Sequence, residues 1–82
     1  MNIKKIKQIL KNKFNNDFIE VIDINGQENH FSIIVISNQF NNLNLIERHR
    51  IIHDLFRKEL TNEIHALQIK TYTAHEWKLK NN

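Results

Sequence analysis

The segment Phe31-Ser32-Ile33-Ile34-Val35-Ile36 is apolar at every position but Ser32. A short run with no polar alternation reads as a strand that is covered on both faces or flanked by neighbours within its sheet. The rest of the fold has to be arranged around it. A chain of 82 residues buries only about 60–65% of its unfolded surface, which leaves room for one core and no deep cleft. A self-contained catalytic pocket is therefore not expected.

The flanks supply the remaining elements. Ile3, Ile6, Leu10 and Phe14 recur at helical spacing, with Lys4, Lys5, Lys7, Lys11 and Lys13 around the rest of the circumference and Asn2 placed to cap. From Phe18 to Ile24 the residues suit a strand with one wetter face, interrupted by Glu20 and Asp23. Asn25-Gly26 then marks a turn at the only glycine in the chain. Two registers are open: a two-residue turn would pair Ile24 with Gln27, whereas a loop running through Asn29 would put His30 at the mouth of the second strand.

After a polar stretch anchored by Phe40 and Leu43, the residues Leu45, Ile52, Phe56 and Leu60 define one face of a long helix ending near Asn62, with Leu55 beside it. Ile64 to Tyr72 is a third strand, joined to the second through that helix, which favours a parallel right-handed crossover. Thr73-Ala74-His75-Glu76 has the spacing of a capping box, and Trp77 is expected to close the core. The expectation is one α+β domain over residues 1–82, ordered helix, strand, strand, helix, strand, helix, with a three-stranded mixed sheet packed against helices.

Composition removes several chemistries. With no cysteine there is no disulfide framework, no thiol nucleophile and no self-contained thiolate site for zinc or iron–sulfur. Ser32 and Ser37 are the only serines, and neither sits in a glycine-flanked nucleophile elbow. No run approaches the ~18 apolar residues of a membrane span, and Met1 to Phe14 lacks an uninterrupted apolar signal core. The cytosol is the expected location. Net charge is +3, a mild excess that permits an acidic partner or nucleic acid.

The candidate residues follow from type and placement. His49 and His53 share a helical face at a spacing used in zinc sites, but His49 falls within the apolar stripe and reads as a packed structural histidine. Arg48 and Arg50 flank it on different sides of the helix, where they could meet phosphate, a partner's carboxylate or a local acid such as Asp54. The lysines of the first helix could join Lys70, Lys78 and Lys80 in a phosphate-facing surface. Against that, no Gly-x-x-Gly loop exists to clamp a nucleic-acid backbone, and no strand carries two closely placed aromatics. His30 and His65 open the second and third strands, so parallel pairing would bring both rings to one end of the sheet. Two imidazoles there would make half of a four-coordinate site, with a partner supplying the rest. His75 is given no role.

Five segments in order complete a pattern: His30-Phe31, Val35-Ile36-Ser37 leading to Phe40, Arg48-His49-Arg50, Ile64-His65-Ala66-Leu67, and Thr71 to Trp77. Across nearly the whole chain this resembles the BolA family, and the Tyr72-Thr73 approach to Glu76-Trp77 with the short hairpin loop is similar to its bacterial IbaG-like branch. The resemblance implies a fold related to the class II KH domain and a non-enzymatic partnership with a monothiol (CGFS) glutaredoxin. In such pairs a [2Fe-2S] cluster is shared, with glutaredoxin and glutathione supplying thiolates, for cluster trafficking or for iron, redox or stress regulation. The ligand of the family's Ile/Val-His-Ala motif is His65 here. A second ligand is a Cys or His of the loop between the first two strands, and His30 is the only such residue in or beside it. Arg48, Arg50 and Trp77 are then expected to meet the partner, and the free protein to be a monomer or weak homodimer. The alternative implied by the family is a KH-like DNA-binding transcriptional regulator that uses Arg48, Arg50, Lys70 and Lys78. Ala74 departs from a common proline at the first helical turn.

Overall fold

Asn2 does cap the first helix: in a computed structural model, which describes residues 1–81, its side-chain oxygen accepts the Lys5 N–H at 2.8 Å. Helix α1 spans Ile3–Lys13 and buries Ile6 and Leu10, with Phe14 just beyond it. Strand β1 (Phe18–Asp23) runs antiparallel to β2 (His30–Ile36), and β3 (Ala66–Tyr72) runs parallel to β2 on the other side. The order β1-β2-β3 makes the apolar run the central strand.

Only one face of that strand is buried. Phe31, Ile33 and Val35 point into the core with Ile6, Leu10, Ile52 and Phe56, whereas Ser32, Ile34 and Ile36 are half-buried on the opposite face. Of the two readings of the run, the central position in the sheet accounts for it. A residue with strands on both sides is shielded laterally even where no helix covers it.

The longer of the two hairpin registers forms. Asp23 pairs with Phe31, and the Ile24 N–H donates to the His30 carbonyl at 2.9 Å, which leaves Asn25 to Asn29 as the loop. Gly26 has φ +73°, in the left-handed region that glycine enters without a Cβ penalty. The Asp23 carboxylate accepts from Gly26 N–H at 3.0 Å and Glu28 N–H at 3.1 Å, so two of the loop's backbone donors are satisfied locally.

The single long helix expected between β2 and β3 is two helices, α2 (Leu45–Leu55) and α3 (Arg57–Asn62), preceded by a short 3₁₀ turn at Asn38–Phe40. Phe56 breaks the run with φ −110° and ψ 17°, and is itself fully buried. The buried stripe of α2 also differs: it contains Arg48 and Ile52, while Leu45 is 62% exposed. Leu45 shares the bearing of Ile52 but lies about 10 Å further along the axis. Helical side chains lean toward the N-terminus, so Leu45 is carried past the core rather than onto it.

Thr73 and Glu76 form the expected capping box at the start of α4 (Ala74–Lys80), with Glu76 N–H to Thr73 Oγ1 at 3.1 Å and Thr73 N–H to Glu76 Oε1 at 2.8 Å. Trp77 does not close the core. It stacks on Phe18 with centroids 6.5 Å apart and meets Tyr72 edge-on at 5.1 Å, on the sheet face away from α1 and α2. Strand alternation explains this: Ile19 and Thr71 take the core-facing positions, which turns Phe18 and Tyr72 outward to receive the indole.

Candidate metal centre at the end of the sheet

The parallel ladder pairs His30 with Ala66, so His65 arrives beside His30 from the next strand. Asn29 joins them, since its backbone carbonyl accepts both His65 N–H at 2.8 Å and Ala66 N–H at 3.3 Å. The two rings lie edge to face, centroids 5.9 Å apart. His65 is exposed and His30 half-buried. His30 Nδ1 sits 2.8 Å from Asn29 Oδ1 and 3.0 Å from Asn25 Nδ2, whereas its Nε2 and both ring nitrogens of His65 have no hydrogen-bond partner among the described residues.

This is a pair of nitrogen donors and nothing more. Among the described residues no group of three His, Cys, Asp or Glu side chains converges, and no pocket forms. A metal held here would take two neutral imidazoles from this chain and its other ligands from outside, which is the complement of a thiolate-bearing partner. Two histidines can replace two cysteines on one iron of a [2Fe-2S] group, and if such a group were bound here, His30 and His65 would be the ligands this chain supplies.

The remaining candidates are dispersed. Arg48, expected at a partner or phosphate surface, is 6% exposed and lies beneath α4 instead. Its guanidinium donates two bonds to Glu76, at 2.6 and 3.1 Å, its Nε donates to the Leu43 carbonyl at 2.9 Å, and its plane sits 5.7 Å from the Phe40 ring. That bidentate pair, with the Thr73 N–H, holds the Glu76 carboxyl at a pKa of about 2, below its ordinary 4.5. Arg50 is exposed, and Asp54, its expected mate, pairs with Arg57 at 2.7 Å. His49 is half-buried and His53 exposed, with no third His, Cys, Asp or Glu converging on them among the described residues.

Nor do the cations form one surface. Helix α1 packs on the core side of the sheet and turns Lys4, Lys5, Lys7, Lys11 and Lys13 outward, while Lys70 alternates onto the opposite face. Lys80 lies 5.8 Å over the Tyr72 ring on that second side. Trp77 is half-exposed there.

Two structural roles go beyond the sequence expectations. The Asn44-x-x-Glu47 capping box of α2 is legible from spacing alone, and it forms with bonds of 2.8 and 2.9 Å. The second role of Glu76, as counterion to Arg48, links residues 28 positions apart and carries no local signal.

The model of the family described as BolA-like protein matches residues 10–76. An uncharacterized protein of Buchnera aphidicola is 42% identical over 88 residues, covering 98% of this chain and 84% of that protein. A Vibrio cholerae protein named DNA-binding transcriptional regulator BolA is 37% identical over 83 residues, covering 93% and 78%. The crystal structure of a Bol-like protein from Babesia bovis superposes with a TM-score of 0.87 at 26% identity, covering 100% of this chain and 95% of that one.

Proposed function

The chain belongs to the BolA-like family, and from that premise we propose that it is a non-enzymatic cytoplasmic adaptor that binds a monothiol glutaredoxin and lends His65 and His30 to a shared [2Fe-2S] cluster. The observation that carries this reading is the meeting of those two rings at 5.9 Å, produced by the β2–β3 register. Each imidazole is accessible from outside the sheet, and the chain supplies no thiolate of its own. Glutaredoxin and glutathione would provide the missing sulfur donors.

The bound cluster would supply one-electron chemistry and a transferable iron–sulfur unit. The protein's contribution is ligand type. Neutral imidazole in place of thiolate removes negative charge and favours a higher potential, and since only the unprotonated nitrogen can ligate, metal binding competes with protonation. Such a ligand releases its metal as the medium acidifies.

The test is anaerobic co-expression with a monothiol glutaredoxin, followed by iron and sulfide analysis and visible circular dichroism. His65→Ala should keep the fold and lose the spectrum that distinguishes the complex from cluster-bearing glutaredoxin alone. An unchanged spectrum refutes His65 as ligand. A second reading is supported by the name of the Vibrio cholerae relative, a DNA-binding transcriptional regulator. It predicts a sequence preference that survives physiological salt, whereas simple phosphate attraction disappears as salt rises.

A further inference from the structure

The Asn25–Asn29 loop does more than hold His30 in place. Asn25 Oδ1 accepts the Gln27 N–H at 3.0 Å, and this backbone donor fixes which way the Asn25 amide points. Its Nδ2 then faces Asn29 Oδ1 at 3.1 Å and His30 Nδ1 at 3.0 Å. Because Asn25 presents hydrogens to Asn29, Asn29 must present oxygen in return. That same oxygen lies 2.8 Å from His30 Nδ1, the shortest contact of the group.

The two tautomers of His30 are unequal, although neither pairs every contact: with the proton on Nδ1, the 3.0 Å approach of Asn25 Nδ2 is non-bonded and the Asn25 hydrogen goes to Asn29 instead. If Nδ1 carries the proton, it donates to Asn29 Oδ1, which accepts a second bond from Asn25 through its other lone pair. If Nδ1 is bare, it accepts from Asn25 Nδ2 at 3.0 Å, but two acceptors then face each other at 2.8 Å and the shortest contact becomes repulsive, which favours the protonated Nδ1. We infer that Asn29, oriented by Asn25, is a positioning residue that holds neutral His30 in the Nδ1–H tautomer, so that the ring presents its lone pair at Nε2, the nitrogen left without a partner.

An outer hydrogen bond that selects tautomer and ring orientation is the usual support of a metal-binding imidazole. The same residue also sets the spacing of the pair, since the Asn29 carbonyl accepts the N–H groups of His65 and Ala66. His65 has no side-chain hydrogen bond among the described residues and is left to its intrinsic preference, which in a neutral, unconstrained histidine is the proton on Nε2. The consequence for ligation rests on the proposed cluster reading. The tautomer itself does not.

The experiment reads the free protein by long-range ¹H–¹⁵N correlation of the imidazole nitrogens at about pH 8. His30 should show mainly Nδ1–H, with His65 in the same spectrum as the unconstrained reference. Asn29→Ala should return His30 to mainly Nε2–H with the Ala66 amide signal retained, and Asn29→Asp, which keeps the acceptor, should preserve Nδ1–H. Wild-type His30 with its proton on Nε2, or a tautomer ratio that Asn29→Ala leaves unchanged, overturns the inference. In the glutaredoxin complex, Asn29→Ala should weaken cluster retention about tenfold and Asn29→Asp should restore it. A wild-type complex that holds no cluster would sink the cluster reading and leave the tautomer result standing.

Discussion

Arg48 shows how one residue changes meaning between sequence and structure. A guanidinium buried to 6% exposure needs its charge answered, and Glu76 answers it with both oxygens. Because the Glu76 side chain remains 44% exposed, solvent screens the pair and its net worth is modest. Losing one partner is another matter. Glu76→Ala should lower stability by about 2 kcal/mol in urea unfolding, chiefly because it leaves the buried cation unpaired, and Arg48→Met, which removes the charge, should cost less. The carboxyl's folded pKa is depressed, so its contribution is complete above about pH 4.5 and is lost as pH falls toward 2. Glu76→Gln should therefore flatten the stability profile across that window. Thr71 offers the opposite sign. Its Oγ1 is buried with no hydrogen-bond partner among the described residues, so Thr71→Val should raise stability by about 1 kcal/mol.

At the scale of elements, the differences from expectation come from where an element ends, not from what it is. Helix α2 has the apolar spacing that its sequence predicts, but its first turn overhangs the core. Ile52→Ala should therefore cost about 2–5 kcal/mol, whereas Leu45→Ala should change stability by no more than about 0.5 kcal/mol. Equal effects would return Leu45 to the core. The hairpin makes a comparable case at Gly26, where an added Cβ would meet nothing within 4 Å and only the backbone conformation is at issue. Gly26→Ala should cost about 1 kcal/mol, and Gly26→Asn clearly less, because asparagine tolerates φ near +73°. Equal losses for the two would point to a contact rather than to φ.

Across the whole molecule the sheet separates two chemistries. The face under α1 and α2 holds the core, the far face packs Phe18 and Tyr72 against Trp77 of α4, and the end where β2 and β3 begin holds the histidine pair. Lysines of α1 and Lys70 lie on opposite sides, so polyanion binding should have no single centre. Replacing Lys4, Lys5 and Lys11 by Gln, or Lys70, Lys78 and Lys80 by Gln, should each reduce the salt dependence of DNA binding by a similar amount. A loss confined to one set would identify one dominant phosphate surface. Among the described residues no helix is long and apolar enough to cross a membrane.

Local regularities are legible in the amino-acid order itself: the Asn2 cap, the Thr73–Glu76 box, the strand character of Phe31 to Ile36 and the turn at Gly26. Each depends on residues within a few positions of one another, where spacing alone sets geometry. The placement of His30 beside His65 is legible as a consequence of parallel pairing, although the hairpin register that puts His30 at the strand's mouth has two solutions in the sequence. What only the tertiary structure decided are the long-range matters. They include the burial of Arg48 against Glu76, the outward stacking of Trp77, and the separation of the lysines onto two faces. These rest on contacts across the sheet, where facing direction depends on how whole elements pack.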